Sequence, residues 1–311
     1  MKILMTGVSS FTGFWFARVL AERGHEVVAP LRRNPEEYRD VRARRLLEIG
    51  RAVDVIPSAP FGSDRFLDLV AADRFDLLAL HGAEVGGYSE PDFDVAAAVA
   101  ANTFNARRVL AAFGNAGGKA VIATGSYFEP DEGNRAPSET CFSPYGLSKS
   151  LTYRTFEFWC RHIGIPIGKF VIPNPFGAYQ EARLVDYLVR NWRENRAATI
   201  NKPDYVRDNV HVGPLARVYA EFCEAKTEGH AVIDRTAPSG YVESTADFVR
   251  RCARHLGPRL NIDTPVAFGE QTEIDEPLSM RNDARIAWGP QEEEKAWDTL
   301  ASFYQVALVE A

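Results

Sequence analysis

The chain has 311 residues, of which 46% are hydrophobic and 25% charged, and its formal net charge is -6. This composition is that of a globular protein long enough for two structural units. A nucleic-acid-binding surface normally carries a basic stripe, so we expect no nucleic-acid partner. No run approaches the about 18–20 apolar residues of a membrane span, and the short apolar N-terminus lacks signal-peptide form. We therefore expect no membrane partner and a cytoplasmic protein.

The four cysteines are isolated and form no C-x-x-C pair. Cysteines in this pattern are usually buried thiols, which fits a reducing compartment. Their positions are Cys141, Cys160, Cys223 and Cys252. The histidines His81 and His211 have no partners at metal-ligand spacing, so we expect no metal site.

Short apolar runs alternate with amphipathic segments through the first half of the chain. The predicted strands are Lys2–Met5, Glu26–Leu31, Phe75–Leu80, Lys119–Ala123 and Gly168–Ile172. The predicted helices are Phe14–Arg23, Ser63–Ala72, Ala96–Phe113 and Tyr145–His162. Strands alternating with helices indicate βαβ units, and apolar runs without polar alternation indicate strands buried on both faces of a parallel sheet. The charged stretch from Arg32 to Arg45 is interpreted as a solvated loop and helix, apart from its first two residues.

The rhythm changes after Pro173, where proline, glycine and charge become evenly mixed. We therefore predict an α/β protein with two units. Residues 1–172 form a Rossmann-type, doubly wound parallel sheet, and residues 173–311 form a smaller mixed α/β substrate domain. Some segments of the second unit are expected to return to the first.

The segment TGVSSFTG at 6–13 follows the first strand and opens the first helix. A phosphate is stabilised by amides at a helix N-terminus, Gly7 permits the tight turn and Gly13 permits close helix–strand packing. Ser10 stands where T-G-x-x-G-x-x-G has its middle glycine, and its hydroxyl could bind a phosphate oxygen or its Cβ could displace the pyrophosphate. The residues of this loop predicted to bind a dinucleotide are Gly7, Ser9, Ser10, Phe11, Thr12 and Gly13.

The end of the second predicted strand reads Pro30-Leu31-Arg32-Arg33, with no acid before Glu36. An acid there would accept a hydrogen bond from the NAD ribose, whereas a guanidinium suits a 2′-phosphate. Arg32 and Arg33 therefore favour NADP over NAD. The alternative is that both arginines point to solvent.

Tyr145 and Lys149 form a Y-x-x-x-K pair on one face of a predicted helix. A tyrosine hydroxyl with its ordinary pKa near 10 is a poor acid/base at neutral pH, and an ammonium one turn away lowers that pKa. Ser126 lies just past a predicted strand, at the carboxyl edge where such sheets bind ligands. Its hydroxyl can orient a substrate oxygen.

With these motifs in place, the sequence resembles the extended short-chain dehydrogenases that act on nucleotide sugars. The resemblance spans residues 1 to about 217 and, more faintly, the rest. It is carried by TGVSSFTG (6–13), HGA (81–83), NTFNARRVLAA (102–112), TGSYFE (124–129), SPYGLSK (143–149), PNPFG (173–177) and YVRDNVHV (205–212).

The resemblance implies roles for individual residues. Ser126 would orient the substrate, Tyr145 would be the general acid/base, and Lys149 would be its electrostatic partner and a ribose ligand. Asn102 would support the catalytic site from the neighbouring helix. The segment His81, Gly82 and Ala83 would line the cofactor.

Four further residues are predicted to bind the sugar nucleotide. The resemblance places Asn174 against the substrate and Arg207 on its diphosphate, the alternative for Arg207 being an ion pair with Asp208. Arg183 and Arg281 are candidates for additional phosphate contacts.

The departures from the family pattern narrow the reaction. Phe128 stands where 4,6-dehydratases hold a proton-transferring acid, and Glu129 is one position too late, so a dehydratase is disfavoured. The leading prediction is a keto-sugar reductase that uses NADPH. The alternatives are a nucleotide-sugar epimerase with tightly held NAD and a non-catalytic dinucleotide-binding regulator. The resemblance also predicts a homodimer through a four-helix bundle of Val95–Phe113 and Tyr145–His162.

Overall fold

The computed structural model describes residues 1–84, 86, 90, 92–133, 142–229 and 234–307. Cys141 lies outside the described residues, whereas Cys160, Cys223 and Cys252 are buried free thiols. In this part of the chain, no helix is both long and apolar enough to cross a membrane.

Fourteen strands and ten α-helices occupy the described residues. The strands are β1 Lys2–Met5, β2 Glu26–Pro30, β3 Asp54–Ile56, β4 Leu77–Leu80, β5 Ala120–Ser126, β6 Ile167–Ile172, β7 Asn174–Phe176, β8 Ala198–Ile200, β9 Val206–His211, β10 Arg235–Thr236, β11 Pro238–Ser239, β12 Tyr241–Ser244, β13 Val266–Phe268 and β14 Ala284–Arg285. The helices are α1 Phe11–Glu22, α2 Asp40–Ile49, α3 Asp64–Ala72, α4 Val95–Asn102, α5 Ala106–Asn115, α6 Pro144–Ile163, α7 Leu184–Arg193, α8 Val212–Glu228, α9 Thr245–Leu260 and α10 Pro290–Ala307.

Seven parallel strands form the central sheet in the order β10-β6-β5-β4-β1-β2-β3. Its inner strands are buried on both faces, as the fully buried Ile3, Leu4 and Met5 of β1 show. The strand order reverses between β1 and β4, which opens a crevice at their carboxyl ends. The prediction of a Rossmann-type, doubly wound α/β fold is confirmed.

The predicted single helix Ala96–Phe113 is wrong, because the chain breaks it into α4 and α5. Asn105 adopts a left-handed conformation with φ of 53°, which asparagine tolerates better than most residues. Its side-chain amide donates to the Gly62 carbonyl at 2.8 Å. The break therefore rests on a contact 43 residues away along the chain.

Two other expectations change in detail. Helix α1 begins at Phe11 rather than Phe14, because the Ser10 side chain caps it by accepting from Gly13 N. Strand β5 runs on to Ser126, so this serine ends the strand instead of following it.

The smaller sheets that follow β6 in the chain lie beside the carboxyl ends of the central strands. β7, β9 and β12 form a three-stranded sheet, and a separate core includes the buried Trp192 and Trp297. Helix α8 packs along α1, and β10 extends the central sheet next to β6. The segments after residue 173 thus border the edge of the sheet where β5 ends.

Candidate active site

The turn between β1 and α1 leaves no room for larger side chains at its two glycines. Gly7 has φ of 78°, a left-handed conformation that favours glycine. A Cβ on Gly13 would lie 2.2 Å from the Gly7 carbonyl oxygen. The first-turn amides of α1 at Phe11 and Thr12 lack intrahelical partners by helix geometry, so they are suited to a phosphate. These features fit a dinucleotide.

The Ser10 hydroxyl makes hydrogen bonds to its own loop and to His81. Its hydroxyl donates to the Gly7 carbonyl at 2.8 Å and accepts from Gly13 N at 3.2 Å. The same oxygen lies 3.1 Å from Nε2 of His81. The Ser10 hydroxyl therefore closes the turn at the position where the pattern has its middle glycine.

His81 joins the loop of residues 6–13 to the neighbouring strands. Its Nε2 lies 3.1 Å from the Thr12 hydroxyl, and its Nδ1 lies 3.0 Å from the Thr124 hydroxyl on β5. Burial lowers the pKa of His81 to about 3, and the positive charge of Lys149 acts in the same direction. His81 is therefore neutral and holds the loop through uncharged hydrogen bonds. Its neighbour Gly82 donates its backbone N–H to the Thr6 hydroxyl at 2.9 Å.

Arg45 contradicts the interpretation of the charged stretch up to residue 45 as a solvated loop and helix. Its side chain is fully buried and donates to the Ser9 carbonyl at 2.9 Å and the Tyr179 carbonyl at 2.8 Å. It also pairs with Glu181 at 2.8 Å. A guanidinium carries five donors, so one side chain can tie the loop of residues 6–13 to the segment after β7.

The two arginines predicted to select NADP are both exposed. Arg32 pairs with Glu84, just beyond the 81–83 segment, at 2.8 Å.

Asn102, at the end of α4, accepts the Glu84 backbone N–H at 2.6 Å. Its amide nitrogen also lies 3.5 Å from the Thr152 hydroxyl of α6. Asn102 thus connects the end of β4 with the helix that carries Tyr145.

Lys149 is buried and reaches back into the end of β5. Its Nζ donates to the Thr124 carbonyl at 2.6 Å. Burial lowers the pKa of Lys149, while the nearby Glu129 raises it and Lys169 lowers it. One helical turn earlier, Tyr145 occupies the N-terminal turn of α6.

Gly146 allows α6 to approach the loop after β5. A Cβ on Gly146 would lie 2.1 Å from the Phe128 carbonyl oxygen. The Tyr145 and Phe128 rings meet edge to face, with centroids 6.2 Å apart. The Ser126 hydroxyl accepts the Phe128 N–H at 3.2 Å. Ser126, Tyr145 and Lys149 are thus grouped around the carboxyl end of β5.

Glu129 is not placed as an acid for elimination. It is only 1% exposed, and its carboxylate lies 2.6 Å from Nζ of Lys169 on β6. Its other oxygen accepts the Ser126 N–H at 2.8 Å. A loop shift that would bring Glu129 to the position of Phe128 would break both contacts.

The predicted substrate residues lie on the segments after β6. The exposed Asn174 donates through its amide to Oδ1 of Asn209 at 2.7 Å, on the neighbouring strand β9. Arg183 is exposed at the N-terminus of α7. Arg281 is exposed and borders a cavity of about 620 Å³ with Arg251 and further residues.

Arg207 is engaged by an acidic segment far along the chain. Its guanidinium pairs with Glu276 at 2.7 Å and donates to the Pro277 carbonyl at 3.0 Å. The guanidinium carbon also lies over the Tyr205 ring, 4.5 Å from the ring centroid. Arg207 is thus in an ion pair, as the alternative expected, but its partner is Glu276 and not Asp208. Asp208 is buried and accepts from the backbone N–H groups of residues 240 and 282.

Three residues of this region were missed by sequence reasoning: Thr124, Arg45 and Lys169. Thr124 lies within the TGSYFE segment, two positions before Ser126, which is a usable signal. Arg45 lies in a segment interpreted as solvated, and Lys169 lies in a segment interpreted as an apolar strand. Only the tertiary structure supplies the partners of these two charged residues. Among the described residues, no cluster of three His, Cys, Asp or Glu side chains could hold a metal ion.

The chain belongs to the NAD dependent epimerase/dehydratase family, whose model matches residues 3–233. The resemblance to the extended short-chain dehydrogenases of nucleotide-sugar metabolism is therefore confirmed. No curated protein matches the sequence.

Solved structures with the same fold cover nearly the whole chain. UDP-glucuronic acid 4-epimerase from Bacillus cereus, in complex with UDP-glucuronic acid and NAD, is 18% identical, with 98% of this chain and 99% of that chain covered and a TM-score of 0.74. UDP-glucose 4-epimerase from Thermotoga maritima, with UDP-glucose, is 16% identical, with 99% and 100% covered and a TM-score of 0.69. UDP-N-acetylglucosamine 4-epimerase from Methanobrevibacter ruminantium, in complex with UDP-N-acetylmuramic acid, is 16% identical, with 98% of each chain covered and a TM-score of 0.70.

Proposed function

We propose that this chain is a nucleotide-sugar epimerase that retains NAD through its catalytic cycle. The observation that carries the proposal is the grouping of Ser126, Tyr145 and Lys149 at the carboxyl end of β5. The glycine turn that opens α1 lies at the carboxyl end of the nearby strand β1. When bound, NAD supplies a reversible hydride acceptor.

The residues of this chain supply proton transfer and orientation. Tyr145 takes the proton from a sugar hydroxyl and later returns it, acting first as base and then as acid. Lys149 favours the deprotonated form of Tyr145 by its positive charge. Ser126 orients the reacting oxygen, and Asn102 keeps the end of β4 against α6.

Epimerisation is favoured over the keto-sugar reductase that the sequence first suggested. The reductase prediction rested on Arg32 and Arg33 as ligands of a 2′-phosphate. Pairing of Arg32 with Glu84 offsets part of that positive charge. The family match and the shared fold with NAD-containing UDP-sugar 4-epimerases support NAD and the epimerase.

For the substrate, we propose a sugar linked to a nucleoside diphosphate. Residues 1–172 would hold the cofactor, and residues 173–311 would supply most contacts to the nucleotide. Asn174 would contact the substrate beside the sheet, and Arg207 would bind the diphosphate after exchanging the Glu276 carboxylate for it. Arg183 and Arg281 would add positive charge to the same anion.

The first experiment is to denature the purified protein and identify the dinucleotide that it releases. We expect NAD at close to one equivalent per chain. The intact protein is then incubated with UDP-glucuronic acid or UDP-glucose without added cofactor, and the C4 epimer is measured. Turnover without added cofactor supports an epimerase, and Tyr145→Phe should lower it by about 100-fold or more. Product that forms only with stoichiometric NADPH and a keto sugar would overturn the proposal.

A homodimer through α4, α5 and α6 is a further part of this proposal. Large apolar side chains in this region are exposed, with Phe104 in the turn between α4 and α5 at 56% and Phe158 on α6 at 60%. Leu151 lies two turns before Phe158 on α6 and is 41% exposed. Light scattering should give the mass of two chains, and a monomer at working concentration would contradict the assembly.

A further inference from the structure

We propose that Glu129 is a positioning residue for Ser126, rather than an acid of the reaction. The inference deepens the proposed function, because it assigns a residue that sets the geometry of the same catalytic site. Three hydrogen bonds close the turn of residues 126–129. Glu129 N donates to the Ser126 carbonyl at 3.0 Å, Ser126 N donates to Oε1 of Glu129 at 2.8 Å, and Phe128 N donates to the Ser126 hydroxyl at 3.2 Å.

The Glu129 carboxylate is held by a buried cation on the adjacent strand. Lys169 is 7% exposed, and its Nζ lies 2.6 Å from Glu129 and 2.8 Å from Glu132. Glu132 is paired in turn with Arg235 on β10 at 2.6 Å. A buried carboxylate is tolerated when it is paired and hydrogen-bonded in this way. Its position is therefore determined by β6 and β10 as well as by its own loop.

The same ion pair also contacts the catalytic helix. Nζ of Lys169 lies 4.8 Å from the ring centroid of Tyr153, one helical turn after Lys149 on α6. Gly125 makes this arrangement possible, because a Cβ there would lie 2.7 Å from both Oε1 of Glu129 and Cε of Lys169. Glu129 and Lys169 therefore fix the end of β5 relative to the helix that carries Tyr145.

Two variants distinguish the effect of the position of the Glu129 side chain from the effect of its negative charge. Glu129→Gln keeps an oxygen that can accept the Ser126 N–H but removes the negative charge, and Lys169 retains Glu132. Glu129→Asp keeps the charge but is one methylene too short to reach Ser126 from the same backbone. Misplacement of a reacting group by about 1 Å can cost about 100-fold in rate.

We expect Glu129→Asp to lower kcat by about 30-fold or more with KM changed less than about threefold, and Glu129→Gln to keep kcat within about fivefold. The matched control is Glu132→Asp, which alters the same ion-pair cluster without touching Ser126. It should keep kcat within about threefold even where it lowers the melting temperature. Full activity of Glu129→Asp, or equal losses in Glu129→Asp and Glu132→Asp, would overturn the proposal.

Hydrogen exchange tests the inference independently of the substrate. The Ser126 amide should exchange at least about 10-fold faster in Glu129→Asp than in the wild type. Its exchange rate in Glu132→Asp should equal that of the wild type. Slow exchange in Glu129→Asp would refute the positioning role. Fast exchange in a protein that epimerises no UDP-sugar would uphold the positioning of Ser126 while the proposed function failed.

Discussion

The loop of residues 6–13 and the acidic strap of residues 273–278 differ in how they are attached to the fold. The loop is joined to β4 and β5 through the neutral His81 and through hydroxyl groups. The strap is joined through ion pairs, with Glu276 on Arg207 and Asp275 on Lys202. It also exchanges hydrogen bonds with the Tyr205 hydroxyl. The partner acids are partly exposed, with side-chain accessibilities of 41% and 60%.

This difference indicates what each region can do when a ligand binds. Hydrogen bonds to the buried, neutral His81 meet little competition from solvent, so the loop of residues 6–13 is preformed and tolerates little change. Exposed ion pairs contribute little net stability, and a phosphate can replace a carboxylate on a guanidinium. We therefore expect substitutions in the loop to have larger effects than substitutions in the strap.

The largest effect is expected for Gly13→Ala, which breaks the packing of the loop. The new Cβ would lie 2.2 Å from the Gly7 carbonyl and 2.8 Å from the His81 ring. Overpacking of this kind costs about 1–3 kcal/mol, so we expect NAD binding to weaken by about 10- to 100-fold. The control is Gly213→Ala, also in the first turn of a helix, where a Cβ would meet no atom within 4 Å. Calorimetric NAD titrations of both variants give the comparison, and equal affinities would contradict it.

The neutral state of His81 makes the stability of the fold sensitive to acid. Because burial lowers its pKa to about 3, the unfolded chain binds the extra proton between about pH 3 and the ordinary value near 6.5. Stability is complete above pH 6.5 and falls as the pH drops, by about 1.4 kcal/mol at about pH 5.5 for this residue. His211 has a similarly low pKa of about 3, and burial also lowers the pKa of His255. His81→Gln should therefore remove part of the slope of stability against pH and leave the rest.

Urea unfolding of His81→Gln and the wild type between about pH 7 and pH 5 measures this slope. The exposed His162 serves as the control position, and His162→Gln should leave the pH dependence unchanged. A His81→Gln protein with the wild-type slope would mean that the imidazole is not kept neutral by the fold.

A smaller effect is expected for the acidic strap. Glu276→Gln removes the charge that pairs with Arg207, so an added phosphate no longer competes with a carboxylate. Since the pair is partly exposed, we expect UDP to bind about threefold to fivefold more tightly. The control Glu273→Gln changes an exposed acid of the same strap and should leave UDP binding as it is. Weaker binding in Glu276→Gln would show that the strap organises the site rather than competing for it.

The smallest effect is expected at the end of β2. Arg32 is 55% exposed and paired with Glu84, so Arg32→Ala should change the NAD dissociation constant by less than about threefold. Measuring NAD and NADP in parallel also tests the prediction of NADP made from the sequence. A large, selective loss of NADP binding in Arg32→Ala would restore that prediction.

The sheet, the glycine turn that opens α1 and the Y-x-x-x-K helix were predicted from sequence because each is encoded within about one element. Strand β1 is apolar after Lys2, the glycines of residues 7–13 are spaced for one turn, and Tyr145 and Lys149 share a helix face by their separation alone. Interactions of this kind need no knowledge of what lies on the neighbouring strand.

The break at Asn105, the burial of Arg45 and the Glu129–Lys169 pair were decided by tertiary structure. Their partners are separated from them along the chain by 43 residues for Asn105, by 36 and 134 for Arg45, and by helix α6 for Glu129. Such contacts depend on sheet order and on the path of each loop, which local spacing does not encode. The sequence by itself therefore determined which chemical groups this protein carries, and the fold decided which of them meet, because burial and pairing are set by neighbours distant in sequence.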